Sequence, residues 1–200
     1  MPIVDSGARQ EFETGAVRDI QKQKGRCDLL PLDVVADLGG SETPPDNVLM
    51  SLHRFTQNGR MYDLYFALDF FCDERNWNIP SMILEVSVHF EEGAEKYGEN
   101  NWQKGLPVKS YINSAVRHYM KWLRGDDDEM HDRAFCWNIL CAIWTCKHKP
   151  ELNNYGFIPC SVCGAIISKD EKECPHCRVH VGMPVNDADD LMGEYEEENE

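Results

Sequence analysis

Long uninterrupted hydrophobic runs and an excess of positive charge are both missing from this 200-residue sequence. Charged residues interrupt even its most apolar stretch, MYDLYFALDFFCDERNW, so no segment resembles a membrane span and we expect no membrane partner. Lys and Arg number 20 against 35 Asp and Glu, which argues against a nucleic-acid polymer as partner. A signal-peptide pattern is also missing, and we therefore expect a cytoplasmic protein with reduced cysteines.

The acidic excess is concentrated near the C-terminus. Residues 181–200 hold eight acidic residues and no Lys or Arg, while the remaining 27 acidic and 20 basic residues give a charge of only −7. This pattern predicts a disordered, solubilising tail over residues 183–200. Carboxylates elsewhere remain compatible with a nucleotide enzyme, because clustered carboxylates hold cations that in turn hold phosphates.

Apolar spacing predicts an all-α main domain over residues 31–152, preceded by a polar arm over residues 1–30. Spacings of three and four predict a short helix after Pro31 and then helices over residues 48–58, 61–75, 79–97, about 108–123 and about 129–148. The helices within residues 40–78 look like an insert. The inward faces predicted for the third and fourth of the longer helices include Ile83 and Val86, and Val116 and Leu123, respectively.

Two CxxC pairs mark a second, very small module over residues 155–182. Cys160-Ser-Val-Cys163 and Cys174-Pro-His-Cys177 have the spacing of a zinc ribbon, in which four thiolates close a tetrahedral Zn²⁺ site. Such a site has no open coordination position, so we expect its role to be structural. A redox-active dithiol is the alternative, but no thioredoxin-like pattern surrounds these cysteines.

Carboxylates cluster on two of the predicted helices. On a helix, like charges at i, i+3 and i, i+4 repel each other, and a bridging divalent cation removes that cost. A solvated acidic face is the alternative for each cluster, and the acids before the last helix also suit an N-cap. The candidate ligands for Mg²⁺ or Mn²⁺ are Glu91, Glu92, Glu95, Asp128, Glu129 and Asp132.

Three segments together carry a family resemblance. HFEEGAEKYGENNWQKGLP, SAVRHYMKWLRG and DDDEMHDRAFCWNIL are similar to dATP/dGTP diphosphohydrolases of the MazG-like all-α nucleotide pyrophosphatase superfamily, enzymes found largely in phages. The N-terminal ETGAVRDIQKQKGRCDLLP resembles the opening segment of that family. The resemblance implies a MazG-like helical bundle, a homo-oligomer (dimer or tetramer), and a setting in the cytoplasm of a phage-infected host.

The resemblance also implies a reaction. Superfamily members hold Mg²⁺ or Mn²⁺ with ExxE and ExxD motifs, and water attacks between the α and β phosphates to release the nucleoside monophosphate and pyrophosphate. Glu92 and Glu95 match the first motif and become the candidate catalytic residues. Glu129 and Asp132 match the second in spelling, although its spacing departs from the usual one, so that Asp128 or His131 could take a ligand position instead.

Several residues are candidates for holding the nucleotide. Lys and Arg beside the acidic clusters and in the arm suit the phosphates, an indole with neighbouring amides suits the base, and one mid-helix Asn resembles a nucleotide-contacting residue of the superfamily. His118 is interpreted as a satisfied helix histidine. The candidates are Lys24, Arg26, Lys96, Asn101, Trp102, Lys104, Arg117 and Asn138.

The sequence therefore predicts metal-dependent hydrolysis of purine deoxynucleoside triphosphates by an all-α domain with a C-terminal zinc ribbon. The alternative is a non-catalytic module that binds nucleotide or protein and recruits partners through the ribbon.

Overall fold

The computed structural model describes residues 9–19, 30, 47–160 and 162–179. Within these residues five α-helices form the body, which confirms the all-α prediction, and a small hairpin together with the loop after it carries the two CxxC pairs. The helices are α1 Val48–Asn58, α2 Met61–Arg75, α3 Ile79–Tyr97, α4 Val108–Arg124 and α5 His131–His148. The strands are β1 Arg9–Glu11, β2 Val17–Asp19, β3 Phe157–Pro159 and β4 Ile166–Ser168, paired antiparallel as β1–β2 and β3–β4.

Local capping sets the ends of several helices. The side chain of Asn47 accepts a hydrogen bond from the Met50 amide at 2.9 Å, and Asn78 begins α3 in the same way, which satisfies amides that lack a helical partner. Gly125 ends α4 in the left-handed conformation, with φ of 82°. These caps explain why the sequence places the helix boundaries well.

Helix α5 lies at the centre of the bundle. It packs most extensively against α4 and also contacts α3 and α2, while α1 packs on α2. The largest fully buried side chains are aromatic, and they come from four different helices. Those rings are Phe55, Phe71, Tyr111 and Phe135.

Two of the inward-facing residues expected from periodicity are in fact exposed. Ile83 and Leu123 each keep 54% of their surface, whereas Val86 is buried as expected. Helix α3 has apolar residues around much of its circumference, so spacing alone does not define one face. In the last turn of α4, the inward position belongs to Trp122, whose ring lies 5.0 Å from that of Phe71.

The second acidic cluster lies mostly before α5 rather than on it, which corrects the predicted start of this helix at residue 129. Helix α5 begins at His131, and the residues before it form a loop after Gly125. Side chains bond within this region, because Lys121 Nζ lies 2.8 Å from Asp128 Oδ2 and Arg124 pairs with Asp126. Asp128 therefore does not share a helical face with Asp132.

The β1–β2 hairpin was not predicted, because strands of three residues are too short to show alternation. Thr14 donates its hydroxyl to the Gly105 carbonyl at 2.7 Å, and the Asn101 amide both accepts from the backbone N–H of Val17 and donates to its carbonyl. These bonds hold the hairpin against the helical body. The predicted helix after Pro31 and the acidic tail over residues 183–200 lie outside the described residues.

Gly59, at the end of α1, packs against the β3–β4 hairpin that carries the first CxxC pair. It ends α1 with φ of 67°, and a Cβ added there would lie 2.6 Å from Cβ of Phe157. We expect Gly59→Ala to lower the free energy of unfolding by about 3 kcal/mol, since left-handed strain and steric overlap add together. Urea unfolding of the whole chain measures this change.

Gly125→Ala is the matched control. Gly125 also ends a helix with positive φ, but no atom lies within 4 Å of an added Cβ, so only the strain of about 1–2 kcal/mol remains. Equal losses in the two variants would show that contact with Phe157 contributes nothing.

Candidate functional site

A cavity of about 650 Å³ lies against the β1–β2 hairpin, α3, α4 and the start of α5. Cavities of about 300–1,000 Å³ are usual for small ligands and cofactors. Its wall combines residues of the hairpin with residues that are far from the hairpin in the sequence. Only folding brings them together. The cavity is therefore the natural place to compare with the predicted site.

Two arginines give one side of the wall fixed positive charge. Arg18 of β2 donates from Nη2 to Asn138 Oδ1 at 2.7 Å and from Nη1 to the Ser110 carbonyl at 3.3 Å. Burial lowers the pKa of Arg18 from its ordinary value, but a guanidinium stays charged at neutral pH. Arg117 of α4 donates from Nη2 to Ser114 Oγ at 2.9 Å. Held in this way, the two groups suit an anionic ligand.

Carboxylates and imidazoles occupy another part of the wall. Glu91, His118, Asp128 and Glu129 all line the cavity. His118 Nδ1 lies 3.0 Å from Nδ1 of His131, whose Nε2 is 2.8 Å from Asp128 Oδ1. Hydrogen bonds from Lys121 and then His131 lower the pKa of Asp128 to about 2. This side of the cavity has the donor types that hold divalent cations.

The imidazoles facing the cavity are held neutral. Burial first, and then the charge of Arg133, lower the pKa of His89 to about 4. Burial and then Arg117 lower the pKa of His118 well below its ordinary value. A neutral imidazole offers a lone pair, which is the form that binds a metal ion or accepts a hydrogen bond.

The predicted acidic residues fall into two groups. Glu91, Asp128 and Glu129 reach the cavity, whereas Glu92, Glu95 and Asp132 are not part of its wall. Glu92 Oε2 lies 3.9 Å from His89 Nδ1, and Glu95 is exposed.

Asp132 points toward a different neighbour. It is buried, and its Oδ2 accepts from Arg75 Nε of α2 at 3.0 Å. A buried carboxylate needs a charged or hydrogen-bonding partner, so the half-exposed Arg75 accounts for an Asp at position 132 without a metal. The structure therefore does not bring the two motifs together as a single cluster of six carboxylates within its described residues.

Most of the predicted nucleotide-binding lysines and amides hold the hairpin in place. Lys96 Nζ lies 3.0 Å from Asp19 Oδ2, and Tyr97 donates to Asp19 Oδ1 at 2.8 Å. Lys104 Nζ donates to the Gly15 carbonyl at 3.1 Å, outside the cavity wall, while Asn101 lines the wall and clamps β2. These bonds hold the hairpin that carries Arg18.

Trp102 and Asn138 both line the cavity. The Trp102 ring packs edge-on against Phe90 at 5.4 Å and Trp144 at 5.1 Å, so it is fixed in the core. Asn138 donates from Nδ2 to the Ala134 carbonyl and accepts from Arg18, which satisfies a buried amide in mid-helix. Lys24 and Arg26 lie outside the described residues.

Trp137 also contributes to the wall. Its Nε1–H is buried and has no hydrogen-bond partner within the described part of the chain, although the residue lines the cavity. A buried donor left without a partner is costly. The Trp137 ring borders the cavity, although Nε1 itself is not exposed to it.

Sequence reasoning missed Arg18, Asp19 and His89 and underestimated His118. Arg18 lies in the arm segment that resembles the family's opening, which was the available signal. His118 and His131 lie on different helices and are separated in the sequence. The turn between α4 and α5 brings their rings together, with centroids 5.3 Å apart.

The four paired cysteines converge as the ribbon prediction requires. Their sulfur atoms all lie within 4.8 Å of one another, with Cys160 to Cys177 and Cys163 to Cys174 each 3.7 Å apart. Sulfurs bound tetrahedrally at about 2.3 Å are separated by about 3.8 Å. The site therefore has the geometry of a four-thiolate metal site and could bind zinc.

Both CxxC pairs adopt the same knuckle. The amide of Gly164 donates to the Cys160 carbonyl, and that of Arg178 donates to the Cys174 carbonyl. Gly164 and Arg178 each have positive φ, 71° and 61°, respectively. Backbone N–H groups of Cys163 and Val162 lower the pKa of Cys160 to about 6, which favours the thiolate that binds metal.

Comparison with known proteins gives one match. Residues 67–155 match the model of the family dATP/dGTP diphosphohydrolase, N-terminal. The match supports the resemblance in the sequence. It includes all of α3, α4 and α5, and hence most of the cavity wall, but not the β1–β2 hairpin.

Neither the search of curated proteins nor the search of solved structures returned a significant match. Among the described residues, no helix is both long enough and apolar enough to cross a membrane.

Proposed function

We propose that this chain is a metal-dependent diphosphohydrolase that converts dATP or dGTP to the monophosphate and pyrophosphate. One observation carries the proposal: a nucleotide-sized cavity has fixed guanidinium groups and cation-binding side chains on the same wall. A triphosphate needs both kinds of group, because its charge is neutralised partly by protein cations and partly by metal ions. The family match over residues 67–155 supports the choice of reaction and of substrate class.

The donor set of the wall fits Mg²⁺ or Mn²⁺. Glu91, Asp128 and Glu129 are carboxylates that line the cavity, and oxygen donors are what these cations prefer. Of the three, Glu129 is the proposed ligand, because Asp128 already bonds to Lys121 and His131 and Glu91 is the proposed base. When bound, such an ion polarises phosphoryl oxygens and lowers the pKa of water. The motif-based assignment of Glu92, Glu95 and Asp132 as further ligands remains a prediction, as does the catalytic role of Glu92 and Glu95.

The remaining wall residues have separate tasks. Arg18 and Arg117 face the triphosphate and balance its charge, and the Trp137 ring borders the same cavity. A water oxygen bonds to one phosphorus of the α–β linkage and the bond from that phosphorus to the bridging oxygen breaks, so that the nucleoside monophosphate and pyrophosphate separate. We assign the removal of that water's proton to Glu91, which lines the cavity.

A product assay tests this proposal. Purified protein is incubated with each of the four dNTPs and Mg²⁺ or Mn²⁺, and the nucleotides and phosphates are separated. We expect monophosphate and pyrophosphate from dATP or dGTP. Binding without turnover would instead support the non-catalytic alternative.

Two conservative variants locate the catalytic carboxylate. Glu91→Gln should lower kcat at least about 100-fold, since general-base catalysis contributes about that much or more. Glu95→Gln tests the motif-based alternative on the same helix: Glu95 is exposed like Glu91 but lies outside the wall, so activity should be retained if the reaction takes place in this cavity. The reverse result would place the reaction on the ExxE motif and away from this cavity.

Further proposals rest on less direct support. Zn²⁺ is the proposed ion of the four-cysteine site, since four thiolates at tetrahedral spacing suit it. A homo-oligomer is proposed because exposed apolar side chains gather on α2 and α3. These include Tyr62, Phe66, Ile79, Ile83 and Leu84. Membership of the MazG-like superfamily, a phage origin and a cytoplasmic setting are proposed on the sequence alone.

A further inference from the structure

Two histidines and a glutamate meet where α4 gives way to α5. His118 lies on α4, Glu129 in the connecting loop and His131 at the first position of α5. One ligand atom of each lies within 4.8 Å of the other two. We propose that His118, Glu129 and His131 form a binding site for a divalent transition-metal ion such as Mn²⁺.

The hydrogen bond to Asp128 fixes which nitrogen of His131 can bind metal. A carboxylate only accepts hydrogen bonds, so His131 Nε2, at 2.8 Å from Asp128 Oδ1, carries the proton. In the neutral ring the lone pair is then on Nδ1, the atom that faces His118. An imidazole oriented by a carboxylate on its far nitrogen is a recurring arrangement in metal sites.

The spacing of the two rings agrees with a shared ion. His118 Nδ1 and His131 Nδ1 are 3.0 Å apart, a hydrogen bond in which His118 donates because His131 Nδ1 holds the lone pair. Binding of an ion here therefore requires the His118 proton to move to Nε2. Nitrogens bound at about 2.0–2.1 Å to one tetrahedral ion lie about 3.3 Å from each other, and in octahedral geometry about 2.9 Å. The two rings therefore need to move by only a few tenths of an ångström at most.

Asp128 is itself held in place from the other side. Lys121 Nζ lies 2.8 Å from Asp128 Oδ2, so each carboxylate oxygen has one partner. Asp128 is thus a positioning residue for His131, and Glu129 is the carboxylate that binds the ion. Asp128 and Glu129 thus have different roles, although the sequence pattern does not distinguish them.

Two imidazoles with one carboxylate prefer a transition metal to Mg²⁺ or Ca²⁺, which favour all-oxygen sites. Three protein ligands also leave coordination positions open, and His118 and Glu129 both line the cavity. Binding of the ion is independent of the reaction. Its use with a triphosphate, whose phosphate oxygens would fill the open positions, rests on the proposed function.

Electron paramagnetic resonance with Mn²⁺ as the probe tests the site. The full chain is first dialysed until metal analysis gives one zinc per chain, and Mn²⁺ is then added. We expect loss of the free Mn²⁺ signal at about one further ion per chain. Spin-echo spectra should show ¹⁴N coupling from imidazole, which carboxylates alone cannot produce.

Single variants assign the ligands. His118→Gln and His131→Gln should raise the Kd for Mn²⁺ by more than about 10-fold and each should weaken the ¹⁴N coupling. Asp128→Asn, at a side chain that is 56% exposed and so tolerates change without unfolding, should raise the Kd about 10- to 100-fold. His148→Gln, at an exposed position in the last turn of α5, is the control and should leave both readouts unchanged.

Absence of Mn²⁺ binding, binding without ¹⁴N coupling, or wild-type affinity in all three site variants would overturn the proposal. Turnover of dATP or dGTP by the same samples is a separate readout. Intact ¹⁴N coupling without turnover would overturn the proposed function alone, whereas turnover without ¹⁴N coupling would overturn the histidine site alone.

Discussion

Arg18→Ala is expected to lower kcat/KM for dATP and dGTP about 100-fold. Arg18 lines the cavity, and its bonds to Asn138 and Ser110 use only two of the five N–H donors of a guanidinium. A charge-assisted hydrogen bond contributes about 1.5–3 kcal/mol, and 2.7 kcal/mol corresponds to about 100-fold. Steady-state kinetics with each nucleotide measures the loss.

The matched variants separate charge from geometry. Arg18→Lys keeps the positive charge but loses the planar fork, and we expect an intermediate loss. Arg124→Ala removes an exposed arginine that pairs with Asp126 outside the cavity wall, and kcat/KM should stay the same. If folded Arg18→Ala keeps full activity, the triphosphate does not bind along this wall.

Cys174→Ser is expected to reduce bound zinc from one ion per chain to nearly none. Cys174 is fully buried in the small cluster that it forms with Cys160 and Ile167. So small a core cannot hold a fold by itself, whereas structural zinc contributes about 10–16 kcal/mol of binding free energy in comparable modules. Metal analysis together with limited proteolysis measures the loss of the ion and of the hairpin.

Cys146→Ala is the control for the zinc experiment. Cys146 lies on α5, half-buried against the helical core, and belongs to no group of converging ligands in the described residues. Its zinc content and protease pattern should match those of the original chain. Zinc content unchanged by Cys174→Ser would rule out the four-thiolate site.

The helices follow from the sequence because their signals are local. Residues 61–75 and 79–97 were predicted with the observed bounds, since apolar spacing, Asn78 and Pro80 all act within a few residues. Which face turns inward is not local. On α3 the choice between Ile83 and Met82 depends on where α5 packs, and Met82 is the buried one.

The cavity was only partly predictable, because its wall joins segments that are distant in sequence. The motifs brought Glu91, Arg117 and Asn138 into consideration, and all three line the cavity. No motif predicts the hydrogen bond between Arg18 and Asn138, which are 120 positions apart in the sequence. The four cysteines were fully predictable, since a metal knuckle is encoded in four consecutive residues.

The β1–β2 hairpin supplies part of the cavity wall, and it is a short segment that is distant in sequence from the helices forming the rest of the wall. Arg18 is supplied by residues 9–19, which lie outside the segment of the family match and attach through Thr14, Asn101 and Lys104. On the proposed function, a chimaera that carries another hairpin on these helices should keep its helical fold and bind triphosphates with a different affinity.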